Sequence, residues 1–74
     1  MEWIKVSERL PDEDMQVLVT LRSETLAGRY NIVMEAGYYA SEGRFGCYSA
    51  YWDTVDFFEN VVAWMPFPEP YTGD

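Results

Sequence analysis

From Met15 to Leu21 every second residue is apolar, and Val17 and Val19 within that set are β-branched. Side chains of an extended chain point alternately to its two faces, so this spacing places Met15, Val17, Val19 and Leu21 on one face of a strand over residues 15–22. Residues 30–39 repeat the pattern, with Ile32, Met34, Ala36 and Tyr38 on one face and Gly37 marking a bulge or a close backbone approach. A chain of 74 residues built on such strands holds one small core. A domain of that size buries only roughly 60% of its unfolded surface. One domain over residues 1–74 is expected, its core made dense by thirteen aromatic residues.

Around these two strands the turns are readable. Trp3-Ile4-Lys5-Val6 alternates and runs into Arg9-Leu10-Pro11, so the chain opens on a short extended arm that ends at a turn. Ser23 to Arg29 has no sustained period and predicts a loop. Ser41-Glu42-Gly43-Arg44 predicts a turn with Gly43 at positive φ, closing a hairpin onto a strand over residues 45–52. Asp53 to Asn60 suits either one or two helical turns capped by Asp53 or a loop. Val61-Val62-Ala63-Trp64-Met65 reads as a last strand, and Pro66, Pro68 and Pro70 predict an extended, polyproline-like tail. The expected fold is mainly β, or a small α+β: a compact antiparallel sheet of three to four strands, at most one short helix, and a Pro-rich C-terminal tail.

The net charge is -8, unevenly placed. All five basic residues, Lys5, Arg9, Arg22, Arg29 and Arg44, precede Phe45, and the five acids beyond it (Asp53, Asp56, Glu59, Glu69, Asp74) face no base. Phosphate recognition draws on several Lys or Arg contacts, so this chain repels nucleic acid and anionic membrane surfaces alike. The same field suits a basic protein partner or a groove that normally holds nucleic acid; acids that merely keep an aromatic-rich domain soluble are the plainer account. One cysteine makes no intramolecular disulfide, and no apolar run reaches the roughly 18 residues of a membrane span. A soluble protein of the cytoplasm is expected.

Catalytic equipment is sparse. No His is present, which removes the usual proton shuttle and every Ser-His or Cys-His nucleophile. Cys47 reads as a small hydrophobe rather than a reactive thiol. Asp53, Asp56 and Glu59 would share one face of a helix, and Asp12-Glu13-Asp14 clusters three acids, yet neither follows a calcium-loop pattern, and the glycines form no phosphate-binding loop. Neither a metal nor a cofactor is expected, and the chain reads as a non-enzyme. The remaining constellation is aromatic. Rings on alternating strands cannot all point inward, so Tyr39, Tyr48 and Trp52 are expected to be partly covered, as interface anchors are, unless the arm and the tail cover both faces.

The two ends of the chain carry a resemblance. Trp3-Ile4-Lys5-Val6-Ser7-Glu8-Arg9-Leu10-Pro11, Val17-Leu18-Val19 and Val62-Ala63-Trp64-Met65-Pro66-Phe67-Pro68-Glu69-Pro70 resemble the opening, first strand and ending of the small phage and prophage family catalogued as domain of unknown function 551. Phe67 stands where that family usually has Leu, and Ala63 where His is common, so any role of that His is not shared. The resemblance implies a phage or prophage origin and a mostly β domain, and it implies no activity. Read physically, the two motifs suggest a clasp in which Trp3 stacks with Trp64 and its neighbouring prolines.

These readings lead to a non-enzymatic accessory protein of a phage or prophage that binds a host protein in the host cytoplasm, as an acidic inhibitor of a defence or regulatory factor. Its expected interface is Tyr39, Tyr48, Trp52, Asp53, Asp56 and Glu59. A different class of function, sequestration of a planar, nucleotide-like small molecule, would use Arg22, Arg29 or Arg44 beside an aromatic cleft. A third is a self-associating structural subunit, since open strand edges favour a homodimer.

Overall fold

The computed structural model describes residues 2–73. Six strands form a single antiparallel sheet: β1 (Ile4–Lys5), β2 (Met15–Thr25), β3 (Gly28–Tyr39), β4 (Arg44–Ser49), β5 (Thr54–Phe57) and β6 (Val61–Pro66), in the spatial order β1-β6-β2-β3-β4-β5. The sheet is mainly β as expected, but with more strands and no helix among the described residues. The register places Met15, Val17, Val19 and Leu21 of β2 opposite Tyr38, Ala36, Met34 and Ile32 of β3. Both alternating stripes therefore fall on one face. Val17 and Val19 are fully buried there with Leu21, Ala36, Tyr38, Phe45 and Trp64, and Ile4, Val6, Met15, Met34, Phe58 and Val61 pack against them.

Three local expectations are corrected. Ser23 to Arg29 is not a loop: β2 and β3 run on to Thr25 and Gly28, leaving a two-residue turn at Leu26 and Ala27. Thr25 makes that turn, its Oγ1 accepting from Ala27 N at 3.1 Å and donating to Gly28 O at 3.3 Å, while Arg29 and Glu24 pair across the tip at 2.7 Å. The strand over 45–52 stops at Ser49. Asp53 to Asn60 is neither helix nor loop but contains β5, where Val55 and Phe57 alternate with Thr54 and Asp56. The two ends do meet, but not by ring stacking. Ile4 lies opposite Trp64, Trp3 lines a groove on the other face, and the Trp64 indole donates to Arg9 O at 2.9 Å under the Arg9 guanidinium. β6 ends at Pro66, and residues 67–73 follow without regular secondary structure.

The sheet curls. Phe58 N donates to Phe45 O of β4 at 2.8 Å, and two residues later Asn60 O accepts from Arg22 N of β2 at 3.0 Å. Two residues span at most about 7 Å, so β4 and β5 fold back over the core face. Gly37 and Gly46 are the last pair between β3 and β4 on this path; beyond them β4 leaves β3 and pairs only with β5.

Candidate functional site

The departing β4–β5 hairpin carries most of the expected interface. Gly46 permits the hairpin: a Cβ there would lie 2.9 Å from Asp56 O, so only glycine lets β5 approach this closely. On the face opposite the core, the Tyr39 ring covers Gly37 and meets Phe57 edge-on at 5.7 Å, and the Arg44 guanidinium sits 4.2 Å from the same Phe57 ring. Tyr39 is thus half-buried and structural in its contacts. A shallow groove of about 280 Å³ opens where the strands part, floored by Gly37 and Gly46 and flanked by Glu35, Tyr39 and Tyr48.

At the far end, the turn over residues 50–53 is closed by Trp52 N donating to Ser49 Oγ at 3.4 Å and by Asp53 at φ 52°, a left-handed conformation that Asp tolerates better than most residues. Tyr48 donates its hydroxyl to Asp53 Oδ1 at 2.7 Å, which holds the phenol above its ordinary pKa because the bond favours the protonated form. This turn presents Tyr51 and Trp52, 84% and 71% exposed and packed edge-to-face at 4.7 Å, beside Tyr48 at 55%. Nothing else in the described chain covers the pair.

The structure brings together Tyr48, Trp52 and Asp53. With residues 54–57 a strand, the helical face shared by Asp53, Asp56 and Glu59 does not exist: Asp56 lies opposite Cys47, on the face away from Tyr48, and Glu59 lies past β5 in a groove with Arg44, Phe45 and Phe58. Tyr51, one of the thirteen aromatics but outside the expected interface, joins the cluster; its position beside Trp52, just before a turn-favouring Asp, is the sequence signal for it. The three arginines are also scattered. Arg29 is bound to Glu24 at a hairpin tip, Arg44 lies over Phe57, and Arg22 lines a groove of about 550 Å³ with Trp3, Lys5, Ser7, Val62 and Ala63. No cluster of three or more His, Cys, Asp or Glu suited to a metal ion occurs among the described residues, and no helix there is long and apolar enough to cross a membrane.

Comparison with known proteins agrees with the terminal motifs: residues 2–72 match the family described as protein of unknown function DUF551. The chain belongs to the DUF551 family. No curated protein and no solved structure matches it. Within this DUF551 chain, the family match spans every strand of the sheet, from the paired ends to the β4–β5 hairpin.

Proposed function

We propose that this DUF551 protein is a non-enzymatic phage or prophage accessory protein that binds a host protein through the tip of the β4–β5 hairpin, as an acidic inhibitor of a defence or regulatory factor. The observation that carries this reading is the Tyr51–Trp52 pair, held edge-to-face on a closed turn and left in solvent. Large apolar rings in water cost free energy unless a partner covers them, and aromatic anchors of this kind dominate interface energetics. Because Tyr51 and Trp52 already support each other and Asp53 fixes the turn, little ordering entropy is lost on docking. Asp53 closes the turn beside the rings, Asp56 adds negative charge on the other face of the same hairpin, and no base follows Arg44 in the sequence, so the complementary partner surface is basic with an apolar pocket.

The test is capture from host lysate at low and moderate salt with the wild-type chain, a Tyr51→Ser/Trp52→Ser variant and an Asp56→Lys variant. A stoichiometric partner should be retained by the wild type. The aromatic variant should weaken it by about 2 kcal/mol or more, and Asp56→Lys should slow association mainly at low salt. Recovery of no partner, or of one that binds both variants equally, would sink the reading.

A second reading rests on the groove of Trp3, Lys5, Ser7 and Arg22. Two cations and an indole beside the small Ala63 suit a planar, anionic, nucleotide-like ligand, with the ring on Trp3 and phosphate on Lys5 and Arg22. Quenching of tryptophan fluorescence by nucleoside phosphates, lost in Arg22→Ala, would support it; unchanged fluorescence at millimolar nucleotide would exclude it.

A further inference from the structure

β3 has an open edge. Tyr39 O accepts from Gly43 N at 2.8 Å and from Glu42 N at 3.0 Å, so the backbone groups of Tyr39 point towards β4. Backbone groups in a strand alternate between its two edges, so those of Gly37, Glu35, Val33, Asn31 and Arg29 point the same way. Only Gly37 to Tyr39 pair with β4. Arg29, Asn31, Val33 and Glu35 therefore present N–H and C=O groups to no strand of the described chain, along an exposed stretch whose side chains include Tyr30, Ile32 and Val33 at 49%, 42% and 57% exposure. Such an edge is a template for another strand.

We propose that its occupant is the β3 edge of a second copy of this chain, paired antiparallel about a two-fold axis at Ile32. The four open residues select this register. Centring on Ile32 sets Arg29 opposite the partner copy's Glu35 and Asn31 opposite its Val33, so every open backbone group meets another. Centring on Asn31 sets Glu35 against the turn residue Ala27; centring on Val33 sets Arg29 against Gly37, which β4 already occupies. The Ile32 register also matches the chemistry of both faces. Opposite charges meet twice on one, through Arg29 and Glu35, and on the other Tyr30 meets Met34 while Ile32 meets itself, extending the apolar stripe of the core. Residues 22–35 hold two bases and two acids, so this edge is locally neutral although the chain carries -8. The pairing lies apart from the β4–β5 tip and stands whether or not that tip binds a host protein.

Sedimentation from about 1 μM to about 1 mM chain tests it. The wild type should pass from monomer to dimer within that range. Val33→Pro removes an N–H that faces no strand of the described residues, so it should stay folded by circular dichroism and remain monomeric. Glu35→Arg should raise the dissociation constant at least about tenfold by setting two like-charge pairs face to face. The Arg29→Glu/Glu35→Arg double variant should restore it to within about threefold, which keeps the register testable even if the proline variant unfolds. A wild type that is monomeric throughout would leave the edge to a strand of another protein and overturn the proposal; so would a dimer indifferent to Val33→Pro, or a double variant as weak as Glu35→Arg.

Discussion

Gly37 and Gly46 face each other across β3 and β4, and adding one methyl to each should have opposite consequences. At Gly46 the new Cβ would lie 2.9 Å from both Asp56 O and Val55 Cγ1 and 3.1 Å from Phe57 Cδ1. Ordinary contact needs half an ångström more, and the obstructing carbonyl is fixed in the β4–β5 ladder, so β5 must move. Overpacking of this kind costs about 1–3 kcal/mol, against a gain of roughly 0.5–1 kcal/mol for replacing glycine in a strand. The net loss, about 1 kcal/mol at mid-range and up to about 2.5 kcal/mol, is a large share of the roughly 4–11 kcal/mol that holds a chain this size. In a domain of this length each kcal/mol lost lowers Tm by about 4–8 °C, so Gly46→Ala should melt at least about 4 °C below wild type. At Gly37 the three atoms nearest the Cβ all belong to the Tyr39 side chain, the first at 3.4 Å, and a ring can shift. Gly37→Ala should therefore be neutral or stabilising. Thermal melts by circular dichroism measure both. Hydrogen exchange should show the Gly46→Ala loss first in the β5 amides, because β5 pairs with β4 alone. A Gly46→Ala Tm within about 1 °C of wild type, or a Gly37→Ala loss equal to it, would refute the close-approach reasoning.

Two further outcomes follow from named contacts. The Tyr48 phenol, held by Asp53 above the usual 10.0, should ionise above that value at 295 nm, with its band assigned by Tyr48→Phe. A raised folded-state pKa means that the bond's stabilisation is intact below pH 10 and is lost as pH climbs through the raised value. Asp53→Gly keeps the left-handed turn, removes the acceptor, and should return the band towards ordinary tyrosine. Separately, Trp64→Phe should cost about 1–3 kcal/mol through the lost bond to Arg9 O and lost packing. Exchange at the Val6 amide, which donates to Val62 O, should quicken before the rest of the sheet if that bond secures the N-terminal arm; unchanged Val6 exchange would show that the arm is held otherwise.

Period-two spacing by itself determined the core of this protein. Met15, Val17, Val19 and Leu21, with Ile32, Met34, Ala36 and Tyr38, lie on one face because strand side chains alternate whatever they pair with, and both ends of the chain carried enough local sequence to reveal the DUF551 family. What the tertiary structure alone decided was every feature that depends on a distant partner. Thr54 to Phe57 is too short to declare itself a strand; it becomes one because Gly46, eight residues before Thr54, leaves room for its backbone. The acids of the last thirty residues read as one negative surface along the chain, yet the β4–β5 hairpin sends Asp53 to Tyr48, Asp56 to the opposite face and Glu59 to a groove past β5. Tyr39 and Tyr51 look equivalent in sequence, and only the pairing of β3, β4 and β5 half-buries one against Phe57 while leaving the other in solvent. Alternation is a property of one strand's own geometry, whereas exposure, charge clustering and open edges belong to the pairing of strands far apart in sequence.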